Sequence, residues 1–282
     1  MKRPGDRGYA MLAAIVGIAA FSYVAFEVVA ESRGIVSEVQ AEYEHAKLKA
    51  ACDAGLMLVI SSLASVDKKQ QWPIDGSKHS ITFDDVALMV TVEDERGKFP
   101  LNGTNEDQVR QLFAAAGASG TRLSTLVDSY EDWIDPDNDR RLNGAEDANY
   151  QALGYKPRNS SFHTVSELRL LKGMDDDLYA RVAPAITVFF GESGGFSETT
   201  AQVLALEALS EIGPNSPEVI ERQRELAGEK TTLDLIKNPP NLLGRTLTVR
   251  IEARRAGAYL RRSAIMELTG NKSTPYWLRY LE

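Results

Sequence analysis

The sequence predicts an α+β protein in which one long N-terminal helix packs on an antiparallel sheet and an all-α domain is inserted between the strands. Three observations support this fold class: an N-terminal apolar run that continues as a helical pattern, period-two alternation near residues 80–95 and 245–282, and helical periodicity between them. With 282 residues, the chain is long enough for more than one compact unit.

The first element is an uncharged apolar run from Tyr9 to Phe26, which follows the basic residues Lys2, Arg3 and Arg7. At about 1.5 Å per residue, a helix of this length nearly spans the ~30 Å hydrocarbon core of a membrane. Because basic flanks stay in the cytoplasm, the rest of the chain is expected on the far side. Residues 9–30 are therefore predicted to be a transmembrane helix that anchors an exported domain.

Three interpretations of this N-terminus differ in where the chain is cut. A secretory signal is cleaved after its apolar core, and a plain signal anchor is not cleaved. A prepilin leader is cleaved before the apolar run, and residues 1–8 fit that arrangement because Gly8 directly precedes Tyr9. This third interpretation predicts Tyr9 as the mature N-terminus.

The helical pattern extends past the apolar run to about Ser65, which gives a helix roughly 85 Å long at about 1.5 Å per residue. Its second half is amphipathic and must pack on a domain. Residues 31–102 are predicted to hold this half and the first strands, with a turn at Asp84 and Asp85. Residues 103–240 form the inserted helical domain, and residues 241–282 return as strands that complete the sheet.

The segment DWIDPDNDRRLNGAED is the part of the chain with recognisable chemistry. Counted from its second Asp, acidic residues fall at the first, third, fifth and twelfth positions, the spacing of a calcium loop, because alternate residues can direct hard oxygen ligands at one cation. The candidate ligands are Asp135, Asp137, Asp139, the backbone carbonyl of Arg141, Asn143, Glu146 and the following Asp147. The sixth position is Arg140 instead of glycine, so the backbone path must differ from that of an EF-hand. The alternative is a solvated acidic loop with arginine counter-charges.

The remaining composition excludes other functions. A net charge of −8 disfavours phosphate backbones, so nucleic acid is not an expected partner. The single cysteine, Cys52, lies in a helical apolar pattern, and the three histidines show no metal spacing or catalytic partner. We therefore expect no enzymatic activity.

Several segments together carry a family resemblance: RGYAMLAA, GKFPLN, DWIDPDND, GAEDANY and FHTVSELRLLKGM. From Gly8 to about Val188 the chain resembles the minor pseudopilin K family of the type II secretion system, also called general secretion pathway protein K. Pilin-like chains usually carry glutamate as the fifth mature residue. Here that residue is Ala13, and pseudopilin K also lacks this glutamate.

The resemblance implies a pilin-like fold with an inserted helical domain that binds calcium. It implies processing by prepilin peptidase, N-methylation of the mature end, and residence in the inner membrane with the C-terminal domain in the periplasm. It also implies a role as the capping subunit at the tip of a periplasmic pseudopilus, with minor pseudopilins I and J as partners. Two alternatives remain open: a minor subunit of a type IV pilus, and a signal-anchored calcium-binding envelope protein.

Overall fold

The computed structural model describes residues 6–65, 67, 70–190, 195–209, 217, 219–222, 241–271 and 273–281. The first five leader residues and most of the predicted inserted domain beyond residue 209 lie outside these ranges. The helices are α1 Asp6–Leu63, α2 Glu106–Ala115, α3 Gly120–Ile134, α4 Asp147–Tyr150, α5 Asp176–Val182 and α6 Val203–Leu209. The strands are β1 Asp75–Phe83, β2 Val86–Asp94, β3 Phe99–Pro100, β4 Ile186–Thr187, β5 Thr246–Arg255, β6 Ala258–Leu268 and β7 Tyr276–Leu281.

The apolar part of the first half of α1 is exposed to solvent. The window Met11–Val29 has a mean hydropathy of 2.1, none of it is buried, and it is long and apolar enough to cross a membrane. Large side chains such as Phe21 and Phe26 are more than two-thirds exposed. An apolar surface of this extent needs a membrane or another protein to cover it.

Five strands form one antiparallel sheet in the order β1-β2-β5-β6-β7. The turn between β1 and β2 lies at Asp84 and Asp85, as predicted, and Asp84 adopts a positive φ of 55°. Because β2 pairs directly with β5, the residues between them leave the sheet and return to its neighbouring position. The predicted α+β fold class, with a helical insertion between strands, is confirmed.

The second half of α1 packs on the sheet, chiefly on β5, β6 and β2. Leu48, Cys52, Val59 and Leu63 of this half are buried against the strands. Gly55 allows the closest approach, since a Cβ there would lie 3.3 Å from a Leu88 methyl group. The amphipathic pattern therefore places the apolar face of α1 on the sheet.

The inserted residues form a second compact body, which we call the helical unit (residues 99–190 and 195–209). Its core contains Phe113, Tyr130, Trp133 and Tyr150, all nearly inaccessible to solvent. At the base of this unit, β3 and β4 make a short parallel pair that brings the two ends of the segment together. This core positions α3 and the acidic loop that follows it.

Candidate metal centre

The acidic loop begins where α3 ends, because Pro136 follows Asp135 and a residue before proline avoids helical geometry. Asp135 is the C-cap of α3, with extended backbone angles, and its N–H still donates to the Glu131 carbonyl at 3.0 Å. Asp132 lies in the last helical turn and is completely buried. The helix thus fixes two carboxylates at the loop entrance.

The loop returns Glu146 to these two carboxylates. One side-chain oxygen from each of Asp132, Asp135 and Glu146 lies within 4.8 Å of the others. The backbone N–H of Glu146 donates to Asn149 Oδ1 at 3.1 Å, which fixes the start of α4. Within the described part of the chain, this is the one group of three or more potential ligand side chains that lies so close together.

The carboxylate of Glu146 is buried without a partner. The residue is 3% exposed, and neither of its side-chain oxygens has a hydrogen-bond donor. Asp135 Oδ1 is also inaccessible and unpartnered. Burying a carboxylate in this way is costly unless a cation or proton compensates it. Two residues of one cluster therefore direct unsatisfied oxygens into the same space.

The electrostatics of the cluster agree with this geometry. Burial, reinforced by the charges of Asp132 and Asp135, raises the pKa of Glu146 to about 7. Burial also raises the pKa of Asp132, and burial together with neighbouring aspartates raises the pKa of Asp135. Three such groups favour either protonation or a bound cation, since like charges at this distance destabilise the ionised forms.

Backbone contacts close the loop on α3. The N–H of Arg141 donates to both oxygens of Asp132, at 3.2 and 3.3 Å. The N–H and the side-chain amide of Asn143 both donate to Asp128 Oδ2 at 2.9 Å. Gly144 passes so near the helix that a Cβ would lie 1.9 Å from Asp132 Oδ2. Glycine is needed here for space.

The other predicted ligands lie around this cluster. Asp137 is exposed and accepts the N–H of Asp139 at 2.8 Å, and Asp139 is itself exposed. The backbone carbonyl of Arg141 accepts a hydrogen bond from the Gly144 N–H at 3.2 Å. The guanidinium of Arg141 pairs with Glu106 Oε2 at 3.0 Å.

Two further candidates are held at the loop's far end. The Asn143 carbonyl accepts a hydrogen bond from the Lys172 ammonium at 3.3 Å, and the backbone N–H of the exposed Asp147 donates to Asn138 Oδ1 at 3.3 Å. Of the seven predicted ligand residues, the structure therefore brings Asp135 and Glu146 into the cluster.

Asp132 is not among the predicted ligands, because the calcium-loop motif starts at Asp135 and includes only loop residues. It precedes Asp135 by three residues, and residues at this spacing share one face of a helix. This spacing is the feature of the sequence that indicates Asp132 as a neighbour of Asp135. The helix that enters the loop contributes a carboxylate that a loop motif does not include.

The cluster has the donor atoms to bind a cation. Carboxylate oxygens are the ligands that Ca²⁺ prefers, and the orphaned oxygens of Glu146 and Asp135 fit such an ion. Among the described residues, the group contains three carboxylates and no cysteine or histidine. The donor set therefore consists of carboxylate oxygens alone.

A comparison with known protein families matches the part of the chain that contains the acidic loop. Residues 90–191 match the family model described as "Type II secretion system (T2SS), protein K", first domain. This range contains the second half of β2, the acidic loop and most of the helical unit.

Two relatives carry the name "Type II secretion system protein K". The protein from Pseudomonas aeruginosa is 35% identical over 171 residues, which is 56% of this chain and 51% of the relative. The protein from Klebsiella pneumoniae is 30% identical over 178 residues, 58% of this chain and 54% of the relative. The chain thus spans about half the length of the curated relatives it matches.

A solved structure shares the fold. The match is to the crystal structure of the GspK-GspI-GspJ complex from enterotoxigenic Escherichia coli, with a TM-score of 0.60 and 16% identity. It covers 87% of this chain and 98% of the matched chain. The resemblance of this chain to type II secretion system protein K is therefore confirmed, and residues 90–191 carry it most directly.

Proposed function

We propose that the chain is a minor pseudopilin of a type II secretion system that caps a periplasmic pseudopilus and joins other minor pseudopilins at its tip. The observation that carries this proposal is the match of residues 90–191 to the protein K family. The fold supports it, since a helix with an exposed apolar segment at Met11–Val29 carries a folded domain on its second half. Before assembly, the apolar segment would hold the chain in the inner membrane.

Ala13 supports a terminal position in the assembly. In a pilin-like shaft, a carboxylate at the fifth mature residue can pair with the N-terminal amine of a neighbouring subunit. A carboxylate inside an apolar helix is costly unless it is paired. A subunit at the tip has no neighbour beyond it, so alanine at this position avoids that cost. The bulk of the helical unit would block addition of a further subunit.

Calcium is the cofactor we propose for the acidic cluster. Asp132, Asp135 and Glu146 would hold the ion. The ion would neutralise the buried carboxylates and so join the end of α3 to the start of α4. Its contribution is to the stability of the helical unit.

The partner proposal is tested by co-purification. The full-length chain, extracted in detergent, should co-purify with the I-type and J-type minor pseudopilins expressed beside it, and the complex should survive gel filtration. The matched control replaces these with the minor pilins of a type IV pilus. Recovery with the type IV pilins alone would support the alternative pilus subunit, and recovery with neither set would exclude the minor-pseudopilin proposal.

A signal-anchored envelope protein that binds calcium remains the second candidate, because the acidic cluster does not by itself require a pilus. In that case the chain would bind calcium and be anchored, but its deletion would leave type II secretion unchanged. Measuring export of a secreted enzyme in cells with and without the chain separates the two candidates.

A further inference from the structure

The helical unit and the sheet have separate apolar cores among the described residues. Between the two cores lies a largely buried group of charged and hydroxyl side chains, which we call the polar junction. Its members are Glu93, Asp94, Glu95, Lys98, Thr187, Thr200, Arg245, Thr248 and Arg250. Neither the proposed secretion role nor the acidic cluster uses these residues.

Asp94 is the last residue of β2, and its carboxylate accepts hydrogen bonds from both bodies. It is 2% exposed, and its Oδ2 accepts the Thr200 hydroxyl of the helical unit at 3.2 Å. The same oxygen accepts the Arg245 guanidinium, which lies just before β5. Its Oδ1 accepts the Arg96 N–H at 3.1 Å. One carboxylate thus joins the end of β2 to two segments that are distant in the sequence, those of Thr200 and Arg245.

Glu95 repeats this arrangement with a second segment of the helical unit. Its Oε2 accepts the hydroxyl of Thr187, which belongs to β4. Its Oε1 accepts the Thr248 hydroxyl of β5 and the Lys98 ammonium, both at 2.6 Å. Every oxygen of Asp94 and Glu95 therefore has a donor, and each carboxylate has one donor from each body.

The charges of the junction balance. Glu93 pairs with Lys98 at 2.9 Å and with Arg250 at 2.6 Å, so three carboxylates face three cations. A buried ion network contributes little net stability compared with apolar packing, but removing one member leaves an uncompensated charge. Separating the two bodies would remove Thr187 and Thr200 from carboxylates that stay with the sheet. The cost of that separation resists any independent motion of the helical unit.

Backbone hydrogen bonds also hold the two bodies together at the polar junction. The N–H groups of Ser197 and Gln202 donate to the carbonyls of Arg96 and Gly97, each at 2.8 Å. A Cβ on Gly97 would lie 2.5 Å from the Thr200 carbonyl oxygen. The segment that carries Thr200 is therefore fixed directly against the segment that carries Asp94.

We propose that the polar junction is a coupling device that makes the helical unit and the sheet unfold and move as one body. Two bodies with separate apolar cores would otherwise open independently. The junction gives the helical unit one orientation on the sheet and therefore on α1. This inference holds whether or not the chain acts in secretion.

The test removes hydroxyl donors without changing side-chain volume. The full-length chain in detergent, with calcium in excess, is followed by hydrogen exchange at rising temperature, reading peptides of α3 and of β5. In the unaltered chain both peptides should lose protection at one midpoint. The double variant Thr187→Val, Thr200→Val cuts both hydroxyl contacts between the bodies, so the single midpoint should split into two.

The matched control is Thr248→Val, which takes a hydroxyl from the same Glu95 carboxylate but from within the sheet. It should lower both midpoints together and leave them equal. Two midpoints in the unaltered chain would overturn the proposal, as would one shared midpoint in the double variant. If the double variant does not fold, Thr187→Val alone is read in the same way and decides the question.

Discussion

At the scale of single residues, the acidic cluster is defined by what its carboxylates lack. Glu146 is buried with two unpartnered oxygens, whereas Asp139, in the same loop, is exposed to solvent. This contrast separates residues that need a cation from residues that merely add negative charge. It also supplies matched pairs of variants.

We predict that Glu146→Gln removes most of the calcium-dependent rise in melting temperature of the full-length chain, while Asp139→Asn keeps most of it. A ligand at about 100 times its Kd stabilises the folded state by about 2.7 kcal/mol, which is several degrees for a chain of this size. Thermal melts with calcium and with a chelator measure the difference. Equal loss in the two variants would show that the loop acts only through its total charge.

Calcium affinity should depend on pH through Glu146. Its pKa is raised from 4.5 to about 7, so the metal-free folded state binds a proton more tightly than the unfolded state does. The metal-free protein therefore loses stability as pH rises from about 4.5 to about 7. Calcium needs the ionised carboxylate, so its binding strengthens over that window.

We predict that the calcium Kd increases about tenfold from pH 8 to pH 6, the effect of one proton on a group with a pKa of about 7. Isothermal titration at three pH values measures this change, with Glu146→Gln as the control that removes the proton. A Kd that stays constant over this range would contradict the assignment of Glu146 as a ligand.

Gly144 provides a steric test of the loop path. A Cβ at this position would meet Asp132 Oδ2 at 1.9 Å, so Gly144→Ala should destabilise the chain by about 1–3 kcal/mol and weaken calcium binding. The control is Gly195→Ala, since a Cβ there would meet nothing within 4 Å. Chemical denaturation with and without calcium compares the two. Tolerance of alanine at both positions would show that the loop does not close on Asp132.

At the scale of elements, α1 combines two environments in one continuous helix. Residues 11–29 are exposed along their whole length, while the half that begins near Leu48 is buried on the sheet. The helix is unbroken between these halves. A single rigid element can therefore anchor the chain first and later pack against neighbouring subunits.

For this helix we predict cleavage between Gly8 and Tyr9 by prepilin peptidase, followed by N-methylation of Tyr9. The apolar run begins directly after a glycine that follows basic residues, the arrangement of a prepilin leader. Intact mass spectrometry of the membrane-extracted protein measures the new terminus, and Gly8→Asp should block the cut. An uncleaved Met1, or a cut beyond the apolar run, would favour the signal-anchor or secretory-signal interpretation.

At the scale of the whole molecule, the helical unit is an insertion whose ends approach each other. Gly103 and Gly244 line one cavity of about 620 Å³ between the helical unit and the sheet. In the shortened chain, a flexible linker that spans this cavity replaces residues 103–240. Because Asp94 and Glu95 would lose Thr200 and Thr187, the shortened chain should also carry Asp94→Asn and Glu95→Gln.

We predict that this shortened chain joins the pseudopilus but no longer blocks growth, so cells that carry it should form longer pseudopili and export less protein. Electron microscopy of pseudopilus length and an assay of a secreted enzyme measure the two effects. The control is the full chain with the same two substitutions. Unchanged length and export, with the shortened chain incorporated, would show that the helical unit serves another purpose.

Much of the architecture was predictable because it depends on local patterns. An uncharged run of eighteen residues predicts a membrane helix and period-two alternation predicts strands; the structure has a continuous helix over that run and strands at the predicted positions. The acidic loop was also visible, since Asp135 and Glu146 stand at the spacing of a calcium loop. Each of these features depends on residues that lie close together in the sequence, so the spacing of those residues is enough to predict it.

Contacts between distant residues were decided only by the tertiary structure. Asp132 joins Glu146 because α3 ends at the loop and Gly144 permits close approach, which spacing within a loop motif does not show. Likewise, Asp94 and Glu95 read as the end of a strand, but folding brings Thr187, Thr200 and Arg245 to them from roughly 90 to 150 positions away. The physical reason is burial: a carboxylate removed from water must find a donor or a cation, and only the packed chain determines which one lies within reach.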